Sequence, residues 1–122
     1  MFSMRMKGGV PIYEQLEARI TELIVSGEMK EDERLPTVRD VAREFAVNPN
    51  TVQKTYQLLE QRGLIYSIPS KGSYVAGRDN YIDTIKALAE KNFSAAAEDA
   101  IKRGLTADEL TDIIKKISKE IN

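Results

Sequence analysis

Four side chains in the stretch 47–65, VNPNTVQKTYQLLEQRGLI, carry the clearest chemistry in this sequence. Asn50, Gln53, Lys54 and Gln57 fall at i, i+3, i+4 and i+7, so on an α-helix they share one face. Three amides, which both donate and accept hydrogen bonds, and one amine that donates differ from an ordinary Glu/Lys surface. Each base pair of a DNA duplex shows a distinct donor and acceptor pattern in its major groove. Asn and Gln pair in bidentate fashion with adenine, and Lys meets the acceptors of guanine. Taken alone, such a face is most often simply solvated, so the elements that would hold it decide its meaning.

Other chemistries are poorly supplied. The 122 residues include no Cys and no His, which removes thiolate nucleophiles, disulfides, the usual zinc ligands and the commonest general base. Asp108, Glu109 and Asp112 form a carboxylate cluster, but Glu109 completes a helix cap and the other two suit a helix N-terminus. Gly8-Gly9 opens no strand–turn–helix phosphate loop. No catalytic site, metal site or cofactor is expected. The start, MFSMRMKGG, lacks the apolar core of a signal peptide, and no apolar run is long enough to span a membrane. The expectation is a cytoplasmic protein without a membrane partner.

Helix signals recur along the chain. Pro11 and Gly27 bracket a pattern of Ile12, Leu16, Ile20, Leu23 and Ile24 at helical spacing. Thr37 is placed to cap a helix carrying Val38, Val41, Ala42 and Phe45, with Asp40 three residues on as a variant capping box. Asn48 then caps the helix of the opening stretch, with Pro49 in its first turn and Val52, Tyr56 and Leu59 as its buried stripe. Only Ala46 and Val47 separate the two, which predicts a helix-turn-helix. LIYSI and SYVAG, divided by the turn PSKG, predict a hairpin directly after it. The fold class expected is mainly α with a small β-hairpin: a winged helix-turn-helix over 1–78, followed by a two-helix element over 79–122.

Net charge is −1, but its distribution is uneven. Residues 34–78 hold Arg34, Arg39, Arg43, Lys54, Arg62, Lys71 and Arg78 against Asp40, Glu44 and Glu60, seven cations to three anions and a surplus of +4. Residues 79–122 hold seven basic and nine acidic side chains, a net −2. The first segment alone suits an anionic partner. In the expected docking, the start of the second helix of the pair meets base edges and phosphate, Arg39 sits where the first helix crosses the backbone, and Lys71 lies at the hairpin tip.

The motifs Pro-Ile-Tyr, Leu-Pro-Thr-x-Arg, Asn-x-Asn-Thr-Val and Leu-Glu-x-x-Gly-Leu-Ile, spread over residues 11–75, resemble the DNA-binding domain of the GntR family of bacterial transcriptional regulators. The Asn-Pro-Asn-Thr-Val form and the short tail are similar to the YtrA subfamily. The resemblance implies contacts to DNA from Arg39, from Asn48, Pro49, Asn50, Thr51 and Gln53, and from the wing tip at Lys71 and Gly72. With Lys54 and Gln57 these form the candidate interface. Two departures stand out: Asn48-Pro49 replaces a Ser/Thr-Arg, and Ser70-Lys71-Gly72 replaces a Gly-Lys-Gly wing.

Larger members of the family carry an effector domain with a ligand pocket. Two helices can hardly enclose a drug-sized cavity of roughly 300 Å³ or more. Their apolar positions include Ile82, Ile85, Ala89 and Phe93 in one helix and Leu110, Ile114, Ile117 and Ile121 in the other. Each side chain left in water forgoes roughly 1.5–3 kcal/mol, so the tail is read as a homodimerisation element. The function expected is a repressor that binds a palindromic operator as a homodimer and blocks a promoter. The alternative is a winged-helix protein–protein interaction module. No small-molecule effector is identifiable. The resemblance further suggests control of membrane-transport genes.

Overall fold

A computed structural model describes residues 1–121. The elements run α1 (Ile12–Val25), α2 (Val38–Phe45), α3 (Pro49–Gln61), β1 (Ile65–Ile68), β2 (Gly72–Val75), a 3₁₀ turn (Arg78–Asn80), α4 (Ile82–Lys102) and α5 (Ala107–Ile121). The chain divides into two compact units, Met1–Ile85 and the part from Lys86 onward.

In the first unit α1 supplies Leu16, Ile20, Leu23 and Ile24 to a core shared with Val41 and Ala42 of α2, Val52, Tyr56 and Leu59 of α3, and Leu64, Ile65 and Val75 of the hairpin. The caps follow the sequence. Thr37 Oγ1 accepts from the Asp40 amide at 3.1 Å, and Asn48 Oδ1 from the Asn50 amide at 2.8 Å. The box at Thr37 is only half formed, because the Asp40 carboxylate turns to Arg43 at 3.8 Å. Pro11 occupies the cap position of α1. Ala46 takes a left-handed conformation, φ 52°, to end α2 and admit the two-residue turn.

β1 and β2 are antiparallel, with Ile65 opposite Val75, Tyr66 opposite Tyr74, Ser67 opposite Ser73 and Ile68 opposite Gly72. The second strand starts at Gly72, earlier than SYVAG suggests, and stops at Val75. The segment 32–35 pairs with the free edge of β2: Leu35 donates to the Ser73 carbonyl at 2.8 Å, Val75 donates to that of Glu33 at 2.9 Å, and Arg34 bridges Tyr74. Gly63, at φ 81°, admits no side chain, since a Cβ there would collide with the Asn80 carbonyl oxygen.

Two features of this unit have no local sequence signal. The N-terminal arm folds onto the core through Phe2, whose carbonyl accepts from Arg19 Nε at 3.0 Å. Gln15 holds the same arm, accepting from the Lys7 amide at 2.7 Å and donating to the Lys7 and Val10 carbonyls. The unit also extends to Ile85 rather than ending at 78, because Tyr81 is buried and Ile82 and Ile85 pack on the same core.

In the second unit the rest of α4 ends at Lys102, Gly104 follows with φ 110°, and α5 opens on a full capping box. The Thr106 amide donates to Glu109 Oε1 at 3.0 Å, and the Glu109 amide to Thr106 Oγ1 at 3.1 Å. Neither α4 nor α5 has a fully buried side chain.

The Tyr56 hydroxyl donates to the Pro36 carbonyl at 2.6 Å and ties α3 to the entrance of α2. Burial holds its pKa well above the usual phenol value. The neutral form is the donor, so this contribution is complete below the unfolded pKa of about 10 and is lost as pH rises through the folded value. Tyr56→Phe is expected to lower stability by about 1 kcal/mol at neutral pH. Urea unfolding followed across the alkaline range should show a shallower decline in the variant than in the wild type.

Candidate nucleic-acid interface

α3 is divided lengthwise by burial. Val52, Thr55, Tyr56 and Leu59 face the core, and Asn50, Gln53, Lys54 and Gln57 face solvent. Burying Thr55 requires its hydroxyl to be satisfied, and it donates to the Thr51 carbonyl at 3.0 Å. Arg62 at the end of α3 pairs with Glu17 of α1, which fixes that end of the helix against the first.

The outward residues are not consumed within the fold. Among the described residues, the side chains of Asn50, Gln53, Lys54 and Gln57 make no hydrogen bond or ion pair, and neither do those of Arg39 and Lys71. Arg39 has acidic neighbours on α2, yet Asp40 engages Arg43 and Glu44 lies 3.7 Å from the N-terminal amine. Arg39 is exposed and its charge is uncompensated. Asn48 and Pro49 are exposed at the helix start, with the Asn48 carboxamide oxygen committed to its cap, while Thr51 is half-buried. The first amides of α3 are spent at the helix start, that of Asn50 on Asn48 Oδ1 and that of Thr51 on the Asn48 carbonyl at 2.9 Å.

The wing is joined to α3 through Glu60, whose Oε1 accepts from the Ser67 amide at 3.0 Å. At its tip Ser70 adopts φ 67° and Gly72 φ 130°, with exposed Lys71 between them. Ser70 thus holds a left-handed conformation that glycine adopts with less strain. On the outer face of the wing Tyr66 and Tyr74 stack with centroids 5.6 Å apart, and the Tyr66 hydroxyl donates to Asp32 at 2.7 Å. That hydrogen bond raises the Tyr66 pKa.

The fold therefore brings α3, the start of α2 and a two-stranded wing into one unit of the kind that docks a helix in the major groove. Residues 12–75 match the model of the bacterial regulatory proteins, gntR family. The chain belongs to the GntR family. It is 30% identical to the HTH-type transcriptional repressor YtrA of Bacillus subtilis, over 99% of this chain and 95% of that one. Among solved structures, a transcriptional antiterminator from Listeria monocytogenes EGD-e superposes with a TM-score of 0.80 at 30% identity, covering 99% of this chain and 92% of that one. AraR(DBD) in complex with operator ORX1 superposes with a TM-score of 0.54 at 28% identity, over 59% of this chain and 93% of that one. The winged-helix fold class read from the sequence is that of these GntR neighbours. Like its family, this chain is a DNA-binding transcriptional regulator and not an enzyme.

The tail residues of this GntR chain fall into two groups. Ile82 and Ile85 are half-buried on the core of the first unit. Ala89 and Phe93 of α4 are exposed, as are Ile114, Ile117 and Ile121 of α5, while Leu110 is half-buried. Ile113, which shares the helical spacing of Leu110, Ile114 and Ile117, is also exposed, as is Ile101 of α4. Among the described residues, no helix is long and apolar enough to cross a membrane.

The free amide face and the free Arg39 predict different effects. Asn50→Ala is expected to cost about 1–3 kcal/mol of affinity and to relax sequence preference at the base it contacts. Arg39→Ala should weaken binding to all sequences alike and lower the salt slope by about 0.9 for each phosphate that Arg39 neutralises. Quantitative binding to a panel of single-base operator variants at several salt concentrations separates the two. An equal drop in specificity from both variants would overturn this division of roles.

Proposed function

We propose that this GntR chain is a repressor that binds a palindromic operator as a homodimer in the cytoplasm and blocks the promoter it overlaps. The observation that carries this reading is the outward stripe of α3, whose donors and acceptors have no partner within the fold. A helix held by its opposite face, with its N-terminal residues free, is suited to present Asn50, Gln53, Lys54 and Gln57 to base edges. Arg39 would meet the phosphate backbone, and Lys71 and Gly72 would dock the wing beside it. The repressor assignment is supported by the similar YtrA protein of Bacillus subtilis, which is named a repressor.

The homodimer rests on the tail. Phe93, Ile101, Ile113, Ile114, Ile117 and Ile121 are all exposed on helices without a fully buried residue. Surplus apolar surface of this kind marks an interface, and a second copy of the same tail is the occupant that also supplies a second reading head. Two heads related by a two-fold axis match two half-sites about one helical turn apart.

Selection of bound duplexes from a random pool at near-physiological salt tests the reading. A palindrome with two half-sites is the expected result. A single half-site would remove the homodimer from the proposal, and no enrichment would favour a protein partner for the same helix face. In sedimentation at micromolar concentration the wild type should have twice the monomer mass of 13.7 kDa. Ile113→Asp with Ile117→Asp should return it to the monomer and weaken operator binding at least tenfold, by removing the second head.

A further inference from the structure

Arg34 is the one cation near the wing tip whose role no local motif marks. It precedes the Leu-Pro of the helix-turn-helix in sequence, but the fold carries it to the outer edge of the wing, where it bridges Tyr74. Its guanidinium lies across Gly72. The Nε atom is 2.9 Å, and an outer nitrogen 3.3 Å, from where a Cβ on that residue would stand. The guanidinium therefore occupies the space that a side chain at position 72 would fill, directly beside Lys71.

The three residues before Arg34 carry carboxylates, and it pairs with none of them. Asp32 accepts from the Tyr66 hydroxyl at 2.7 Å, Glu33 Oε1 accepts from the Lys30 amide at 3.2 Å, and the Glu31 carboxylate lies against Gly77. Among the described residues Arg34 makes no side-chain hydrogen bond or ion pair, and it is exposed. The strand beside it is held by Tyr66 stacked on Tyr74, by Ile68 opposite Gly72, and by backbone pairing on both sides of β2. A guanidinium held beside such a strand, its donors unspent, is organised for a phosphate.

We propose that Arg34 is a second wing cation that contacts a backbone phosphate beside the groove where Lys71 docks. This rests on the operator-binding reading above and adds a residue to it. Lys71 and Arg34 together would give the wing two charges. The Asn48-Pro49 start of α3 lacks the arginine of the wider family pattern, and the pair would offset that absence.

The test is the salt dependence of operator binding by the full-length chain, for the wild type, Arg34→Ala, Arg34→Gln, Arg34→Lys and Lys71→Ala. Arg34→Ala and Arg34→Gln should each lower the magnitude of the salt slope by about 0.9 per head and weaken operator and unrelated duplex by a similar factor, about three- to tenfold. The selected sequence should be unchanged, and Arg34→Lys should restore most of the slope. Arg34→Gln keeps much of the side chain over Gly72, so weaker binding in Arg34→Ala but not in Arg34→Gln would assign the effect to packing and overturn the proposal. A wild-type slope in both neutral variants, with Lys71→Ala still reduced, would overturn it while leaving the operator reading intact. A wild type that binds without salt dependence would overturn both.

Discussion

The burial of one side of α3 is the constraint on which the rest of this structure depends. Successive residues of a helix are turned by 100°, so a slip of one position would send the amides inward and the core stripe into water. Val52 and Leu59 are wholly inaccessible, Thr55 is buried with its hydroxyl satisfied along its own helix, and Tyr56 reaches out of the stripe to Pro36. The last contact does more than fill space. It joins α3 to the residue just before the Thr37 cap of α2, so a single buried phenol ties one helix to the entry of the other. Four polar side chains then face outward because no other face is left to them.

The wing inherits its position from the same helix. Gly63 lets the chain leave α3 in close contact with Asn80, Glu60 caps the amide of Ser67, and Ile65 and Val75 plug into the α3 core. Helix and wing are therefore parts of one packed body, and two groove contacts made from it are fixed relative to each other. Such rigidity reduces the ordering cost of binding. It also suits a chain of net charge −1, whose 18 basic side chains are offset by 19 acidic ones. Where phosphate contacts are few, hydrogen bonds to base edges must carry more of the discrimination, and salt must weaken binding less steeply than for a strongly basic regulator.

What is legible in the sequence is local. Thr37, Asn48-Pro49 and Thr106 with Glu109 announce helix starts within four residues, and the outward stripe of α3 follows from spacing alone. Left-handed turns are harder to see, because Ala46, Ser70 and Asp32 adopt positive φ without the glycine that usually signals it. Arg34 is invisible as a wing residue, since its place depends on pairing with Tyr74, forty positions away in the chain. The N-terminal arm is held by Phe2 and Gln15, neither of which belongs to a motif. The boundary between the units is hidden for a related reason. Ile82 and Ile85 continue the same three- and four-residue spacing as Phe93, so periodicity cannot mark where the core of the first unit ends.

That continuity has a physical consequence. The start of α4 belongs to the first unit, where Ile82 and Ile85 pack on the core beside buried Tyr81, while its later turns carry Phe93 and Ile101 exposed. One period thus serves two environments, and only the residues that meet a packed core become buried. Each large apolar side chain left in water forgoes roughly 1.5–3 kcal/mol of transfer free energy. The second unit is therefore marked by unrecovered apolar surface rather than by any change in the sequence pattern.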